Sequence, residues 1–155
     1  MSLVPALVIA TLLANNAARN NVEFTKDSLQ VVQQNVLKKK AVLVDVRSEK
    51  EWQQGHIEGS IFLPVTSLRK GGDPIVIAKK LPKKKILYTF CVVGMRARTA
   101  AFALEKHGYT VRALKPGYEQ LLEAGFKKAE PEAQAAEAPE KQAAENESTR
   151  QRNAR

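Results

Sequence analysis

The chain is 155 residues long and carries a formal net charge of +9, with 44% hydrophobic and 26% charged residues. These fractions are ordinary for a globular protein, so they exclude a wholly disordered chain, and the length favours a single domain. Because there is only one cysteine, an internal disulfide and a cysteine-based zinc site are excluded as well.

The positive charge is unevenly distributed. Residues 1–128 hold 21 Lys and Arg against 10 Asp and Glu, whereas residues 129–155 hold 4 against 6. A basic body favours anionic partners such as small oxyanions or acidic proteins. The lysine runs contain no interleaved aromatic residues, so we expect no nucleic-acid partner. The run KKLPKKK at 79–85 is typical of a solvated surface, and a docking patch for an acidic partner is the alternative.

Residues 1–21 contain an apolar stretch from Leu3 to Ala14. A helix of that length, about 18 Å, is too short to cross a bilayer comfortably but suits the apolar region of a signal peptide. No lysine or arginine precedes the stretch, and the first positive charge, Arg19, follows it. Two interpretations therefore stay open: a signal peptide of an exported (periplasmic or extracytoplasmic) protein, or an N-terminal helix of a cytoplasmic one.

The first element of the body is an amphipathic helix in TKDSLQVVQQNVLKK, which starts at Thr25. Its apolar positions recur with the helical period, and Thr25 is a plausible N-cap. The residues that share the apolar face are Leu29, Val32, Val36 and Leu37.

Beyond this helix, apolar runs alternate with amphipathic stretches. The runs have the length and composition of strands covered on both faces of a parallel sheet. They are AVLVDV at 41–46, SIFLP at 60–64, KILYTF at 85–90 and YTVRAL at 109–114. The predicted helices are SEKEW, capped by Ser48 and ended by Gly55, then RARTAAFALEKHG from 96, and GYEQLLEAG from 117. This alternation predicts an α/β sandwich with a mainly parallel sheet.

The helix from 96 should turn a face of small residues towards the sheet. Its inward residues are predicted to be Ala97, Ala100, Ala101 and Leu104, and Gly108 follows its end. Residues 129–155, by contrast, are rich in Ala, Glu and Gln and cannot bury enough apolar surface to offset the entropy of ordering. We predict a disordered tail there and a folded domain over residues 22–128.

The single cysteine, Cys91, lies at the carboxyl end of KILYTF, where parallel sheets bind ligands. Four residues separate it from Arg96, at the start of the next helix. A strand, a tight loop and a helix N-terminus aim backbone N–H groups and the positive end of the helix dipole at one point, which makes an anion site. Gly94 allows the turn. Such surroundings, with Arg96 beside them, favour the thiolate, the nucleophilic form of cysteine.

Two stretches together resemble a single-domain rhodanese, a sulfurtransferase-type fold. They are VLVDVRSEKEWQQGHIEGSIFLP and FCVVGMRARTAAFALEKHGYTVRALKPGYEQLLEAGF, and the similarity runs over about residues 24–126. The motifs that carry it stand in the family's order: the strand end at 45–47, the Gly–His–Ile turn at 55–57, the cysteine loop and the closing segment at 117–125. The resemblance implies a rhodanese-like three-layer sandwich with about five parallel strands and helices on both faces.

Three positions depart from the family's pattern. Pro116 stands where the family usually has the first of two glycines, Leu121 replaces a frequent tryptophan, and Ser60 replaces a frequent alanine. These departures concern packing near the C-terminal helix more than the cysteine loop. They therefore bear on the shape of the substrate rather than on the fold.

The resemblance also implies that Cys91 is the catalytic residue that carries sulfur. Its thiolate would attack the outer sulfur of a small anionic donor such as thiosulfate, expel sulfite and become a persulfide. The active-site loop that would bind donor and persulfide consists of Val92, Val93, Gly94, Met95 and Arg96. Since there is no second cysteine, the acceptor must be an external thiol, on a small molecule or a protein, or another external nucleophile. We expect no cofactor and a monomer.

Supporting roles are predicted for Asp45 and Arg47, which follow a buried strand. We expect an ion pair that holds the loop layer, and whether Arg47 also borders the pocket stays open. His56, at a turn, is expected to be a hydrogen-bonded structural residue. Two distant histidines and one cysteine offer no metal site.

Two other functions fit the same motifs. One is a rhodanese-like module that binds or senses without turnover. The other, less favoured, is a phosphatase of the related dual-specificity type, in which a Cys–loop–Arg arrangement binds a phosphoryl group. A tetrahedral phosphoryl group needs a wider ring of N–H donors, typically with five residues between Cys and Arg. The four residues here favour a sulfur atom instead.

Overall fold

The computed structural model describes residues 22–69 and 71–130. The predictions for residues 1–21, and for nearly all of the segment 129–155, lie outside the described residues. Within the described part of the chain, no helix is long and apolar enough to cross a membrane.

Four parallel strands form the sheet, in the order β2-β1-β3-β4. They are β1 (Ala41–Asp45), β2 (Ile61–Phe62), β3 (Ile86–Phe90) and β4 (Val111–Ala113). The helices are α1 (Leu29–Leu37), α2 (Glu49–Gln54), α3 (Val65–Arg69), α4 (Pro74–Lys80), α5 (Met95–Lys106) and α6 (Tyr118–Glu123). Asp45 pairs with Phe90 across β1 and β3, so the residues that follow both strands leave the sheet side by side.

Helices cover both faces of the sheet, which confirms the predicted α/β sandwich. Successive strand residues point to opposite faces, and the core therefore divides in two. One half is built around Val44, Leu87 and the helices α3, α4 and α5. The other half is built around Leu43, Tyr88 and the helices α1 and α6.

The expected fifth strand is reduced to a single pairing among the described residues. Phe24 forms an isolated parallel bridge with Ala113 at the free edge of β4, and the Thr25 N–H donates to the Ala113 carbonyl at 2.8 Å. The Thr25 hydroxyl then accepts the Asp27 N–H at 3.2 Å, which turns the chain towards α1. This side-chain hydrogen bond ends the extended backbone before a ladder can form.

Local details of α1 and α4 differ from the predictions. The N-cap of α1 is Ser28 rather than Thr25, and Leu37 is 74% exposed because the helix ends there and turns its last side chain to solvent. Two helices, α3 and α4, were not predicted. The sequence did contain a signal for α4, an Asp followed by a Pro. In the structure Asp73 is the N-cap and accepts the Ile75 N–H at 2.8 Å, and Pro74 occupies the first turn.

Helix α5 fulfils its prediction closely. The four residues expected to face the sheet, Ala97, Ala100, Ala101 and Leu104, have no exposed surface. Three alanines in that face let the helix lie close to the sheet, and the Thr89 hydroxyl on β3 donates to the Ala97 carbonyl at 3.0 Å. The helix begins at Met95, one residue earlier than expected, so the loop between β3 and α5 is only four residues long.

Candidate active site

Cys91 lies directly after β3, in the loop that leads into α5. Its Sγ accepts a hydrogen bond from the Gly94 backbone N–H at 3.1 Å. Gly94 has φ +84 and is the N-cap of α5 without any side-chain cap, so the first N–H groups of the helix are not used by a capping side chain. The loop therefore sets a backbone donor against the sulfur at the positive end of a helix dipole.

Two glycines let the backbone pack tightly around this loop. A Cβ on Gly94 would lie 2.6 Å from the Phe24 ring, and one on Gly117 would lie 1.8 Å from the carbonyl oxygen of Val92. The Tyr118 N–H donates to the Cys91 carbonyl at 2.9 Å. The start of α6 thus supports the cysteine loop through backbone contacts that leave no room for a side chain at Gly117.

The sulfur is covered, whereas its neighbours are exposed. Cys91 has no solvent-exposed surface, but Val92, Val93 and Met95 are 45%, 69% and 60% exposed. The loop therefore presents apolar side chains to solvent while the thiol itself is buried.

Arg96 lies in the first turn of α5 and is bound by a carboxylate. Its Nη1 and Nη2 donate to the two carboxylate oxygens of Glu51 at 2.7 and 2.8 Å. This bidentate contact is the first cause of a raised pKa of Arg96, and the Cys91 sulfur adds a smaller effect in the same direction. The same contact holds the pKa of Glu51 well below its usual range. Glu51 is a member of the site that the sequence did not reveal.

Glu51 is held from a second side by the start of its own helix. The carboxylate accepts the Ser48 N–H at 2.9 Å and the Ser48 hydroxyl at 2.6 Å, which completes a capping box. The predicted cap at Ser48 is therefore confirmed. Its partner Glu51 is fixed in position by α2 and reaches across to α5.

Asp45 and Arg47 form the ion pair expected beneath the loop. Both are buried, and Arg47 donates from Nη2 to Asp45 at 2.7 Å and from Nε at 3.0 Å. Arg47 also donates to the Gly55 carbonyl at 2.7 Å and lies 4.0 Å above the Tyr118 ring. This pair joins the end of β1 to the turn after α2 and to α6.

His56 is used in packing rather than near the sulfur. Its ring stacks on Trp52 with centroids 3.7 Å apart and an interplanar angle of 11°. Its carbonyl accepts the Ala129 N–H at 2.9 Å, and the neighbouring Ile57 bridges to Lys128. Residues 128 and 129 thereby pair with the turn at 55–57.

Val92 and Val93 contribute to the lining of two clefts. One, of about 480 Å³, is partly polar and includes Arg47, Glu51, Tyr118 and Lys128 in its lining. The other, of about 510 Å³, is mainly apolar; its remaining lining residues are Leu29, Lys115, Pro116 and Gln120. Among residues 22–69 and 71–130, no three His, Cys, Asp or Glu side chains come together as they would around a metal ion.

The family model of the rhodanese-like domain matches residues 28–124 of this chain, which is more than half of its length. The chain belongs to the rhodanese-like domain family. The matched range contains Cys91, the loop residues 92–96, and Asp45, Arg47 and Glu51.

Curated relatives share part of this domain. "Probable adenylyltransferase/sulfurtransferase MoeZ" of Mycobacterium tuberculosis is 33% identical over 72 residues, which is 46% of this chain and 17% of that protein. "Uncharacterized protein YqhL" of Bacillus subtilis is 32% identical over 83 residues, 53% of this chain and 61% of that protein. This chain thus spans about a sixth of the length of MoeZ and about three fifths of the length of YqhL.

A solved human structure shares the rhodanese fold. It is the human single-domain sulfurtransferase TSTD1, with a TM-score of 0.50 and 24% identity, over 63% of this chain and 94% of that one. At this identity the likeness concerns the fold alone, and it agrees with the layers described above.

The structure brings most of the predicted site residues together around one sulfur. Val92, Val93 and Gly94 form the loop, and Met95 and Arg96 begin α5. The sequence missed Glu51 and the close approach of Gly117. Glu51 had a signal as the third residue after Ser48 in a capping box, but nothing local indicated its contact with α5.

Proposed function

We propose that this rhodanese-like chain is a sulfurtransferase that carries sulfane sulfur as a Cys91 persulfide and passes it to an external nucleophile. One observation carries the proposal: the Cys91 sulfur lies at the carboxyl end of β3 and accepts the Gly94 N–H at 3.1 Å, at the N-terminus of α5. The word sulfurtransferase in the names of MoeZ and TSTD1 supports the same reaction class.

In the first half-reaction the Cys91 thiolate attacks the outer sulfur of the donor. A new S–S bond forms, the bond between the outer sulfur and the rest of the donor breaks, and its electron pair leaves with sulfite or with a thiolate. The charge that remains on the persulfide faces the Gly94 N–H and the positive end of α5. Backbone donors of this kind need no reorganisation during the reaction.

In the second half-reaction an external nucleophile attacks the outer persulfide sulfur. The Cys91 thiolate is the leaving group, and the Gly94 N–H, 3.1 Å from the sulfur, stabilises its charge as it leaves. Because Cys91 is the only cysteine, the acceptor is a thiol of a small molecule or another protein, or an ion such as cyanide. The two half-reactions together form a ping-pong cycle.

Intact-mass measurement tests the proposal directly. After exposure to thiosulfate, or separately to an organic persulfide, the protein should gain the mass of one sulfur atom, and cyanide or dithiothreitol should remove it. Cys91→Ser is the control and should gain nothing. No gain with either donor between pH 6 and 9, or a gain that persists in Cys91→Ser, would refute the sulfurtransferase function.

The burial of Cys91 favours one alternative, a rhodanese-like binding module without turnover. A covered thiol behaves as a small apolar core residue unless the loop opens. The two functions differ in the second half-reaction. A module without turnover would fail to release the sulfur to a thiol acceptor over repeated cycles.

A further inference from the structure

We propose that Glu51 selects the sulfur donor: by occupying Arg96 it disfavours the thiosulfate dianion and leaves organic persulfides, RSSH, as the preferred donor class. This inference rests on the proposed sulfurtransferase function and adds a specificity-determining residue and a substrate class to it. It is carried by the contact between Glu51 and Arg96 and by the apolar surface of the cysteine loop.

The contact between Glu51 and Arg96 is a fixed one. The guanidinium uses two nitrogens on two carboxylate oxygens, at 2.7 and 2.8 Å, which is the strongest geometry for this pair. Ser48 holds the carboxylate from the other side with two hydrogen bonds. The planar face with which Arg96 would bind a sulfonate oxyanion in two places is therefore already occupied.

The second arginine beside the loop is occupied as well. Arg47 is bound to the buried carboxylate of Asp45. Each of these two arginines is thus paired with a carboxylate. Glu119 and Lys128 add one negative and one positive charge to the lining of the cleft. A dianion that displaced Glu51 from Arg96 would leave an unpaired carboxylate beside itself, which is unfavourable.

The outward surface of the loop fits an organic group better than an inorganic anion. Val92, Val93 and Met95, which follow the buried Cys91 in the chain, are all exposed. The mainly apolar cleft beside Val92 and Val93 is continued by Leu29 and Pro116, and Lys115 is the one charged residue of its lining. Exposed apolar side chains at a reactive centre offer burial to the R group of a persulfide and offer nothing to thiosulfate.

The step that follows is balanced without a further reactant. The Cys91 thiolate attacks the outer sulfur of R–S–SH, the Cys91–S bond forms, and the S–S bond of the donor breaks. The products are the Cys91 persulfide, which keeps the proton of the donor, and the thiolate R–S⁻. The leaving group carries one negative charge, whereas thiosulfate would release sulfite with two.

The test compares two donors on the purified protein: thiosulfate, and benzyl persulfide, whose R group is apolar and uncharged. The second-order rate constant for persulfide formation on Cys91 is measured by quenched intact-mass analysis. We expect the parent protein to react faster with benzyl persulfide. In Glu51→Gln we expect the ratio of the thiosulfate rate constant to the benzyl persulfide rate constant to rise by about tenfold or more, since a cationic cleft attracts a dianion more strongly than an uncharged donor.

Glu51→Gln is a suitable variant because glutamine also serves in a capping box, so the start of α2 is kept while the charge is lost. Glu119→Gln is the matched control: it removes the same charge from an exposed side chain of the same cleft that has no bond to Arg96. It should change the ratio of the two rate constants much less than Glu51→Gln does. The first comparison needs only the parent protein and does not depend on how well any variant folds.

Several outcomes would overturn the inference. They are a parent that prefers thiosulfate, a Glu51→Gln variant in which both donors change alike, and a Glu119→Gln variant with the same effect on the ratio. In each case sulfur still reaches Cys91, so the proposed function would stand. Failure of both donors to load the parent would instead refute the proposed function.

Discussion

Cys91 obtains its surroundings from three separate parts of the chain. The loop itself supplies the Gly94 N–H, α2 supplies Glu51 by way of Arg96, and the start of α6 supplies the hydrogen bond from the Tyr118 N–H. The thiol is therefore influenced by a neutral ion pair rather than by a free arginine. This changes what a substitution at Arg96 should do.

Replacement of Arg96 should reduce persulfide formation mainly by leaving Glu51 unpaired near the sulfur. Arg96→Ala is expected to lower the rate constant by about 2–3 kcal/mol in transition-state stabilisation. Arg96→Lys keeps the charge but loses the planar fork, so it should keep part of the activity. The measurement is single-turnover persulfide formation with one fixed donor.

The double variant Arg96→Ala/Glu51→Gln separates this electrostatic role from packing. If the unpaired carboxylate is the cause, the double variant should recover a substantial part of the rate lost in Arg96→Ala. Equal rates in the single and the double variant would show instead that the Arg96 side chain matters through its own contacts with donor or loop.

At the scale of elements, the start of α6 acts as a support for the cysteine loop. Gly117 is in an extended conformation with φ −99, so its backbone is not strained and any residue type could adopt it. What excludes a side chain is the Val92 carbonyl, 1.8 Å from the position of a Cβ. The constraint is therefore purely one of space between two elements.

Gly117→Ala should consequently displace the loop. We expect a loss of about 3 kcal/mol in the free energy of unfolding, from overpacking against backbone, together with loss of persulfide formation. Chemical denaturation and the intact-mass assay measure the two effects. Gly59→Ala is the control, because it has open space around it and a positive φ of +71, and should cost only about 1 kcal/mol. Equal, small effects at both glycines would contradict the support role.

The elements that could be predicted are those whose signals are local. The face of Ala97, Ala100 and Leu104 repeats with the period of one helix, and the strand before Cys91 is a single apolar run. The pairing of Glu51 with Arg96 joins side chains 45 residues apart, and it depends on how α2 and α5 pack. No pattern within either element contains that information.

The missed elements have different physical causes. Helix α3 is only five residues long, too short for a periodic pattern to show. The fifth strand was expected from the family resemblance, but its pairing stops at Phe24 because the Thr25 hydroxyl begins a turn. The first cause is the length of the helix, and the second is a local hydrogen bond.

On the scale of the whole molecule, two of the lysine runs and the cysteine loop lie at opposite ends of the sheet. All four strands run in parallel, so Cys91 follows the carboxyl end of β3, whereas Lys40 and Lys85 precede the amino ends of β1 and β3. The Ile86 N–H donates to the Lys40 carbonyl at 3.1 Å, so the two lysine runs are neighbours. A five-residue strand, about 17 Å long, separates them from the sulfur.

The lysines at this end should therefore have little effect on the reaction. The combined variant Lys39→Gln/Lys40→Gln/Lys84→Gln should react with thiosulfate within about twofold of the parent at physiological ionic strength, since the Debye length there is about 8 Å. Lys128→Gln removes one positive charge from the cleft lining itself, so it should lower the rate with thiosulfate several-fold. The rates of both variants with thiosulfate are measured by quenched intact-mass analysis over a range of salt concentrations. A large effect of the distant lysines would contradict this separation.

The contacts around the cysteine loop also determine at what stage of synthesis the loop can fold. The loop at Cys91 packs against Gly117 and Tyr118, and the His56 carbonyl accepts the Ala129 N–H. Earlier segments of the chain are therefore held in place by later ones. A ribosome makes the chain from its N-terminus, and earlier segments emerge first. Cys91 is thus added to the growing chain before the residues that shape its loop. The packing around Cys91 can therefore form only once translation has passed the last described helix, α6.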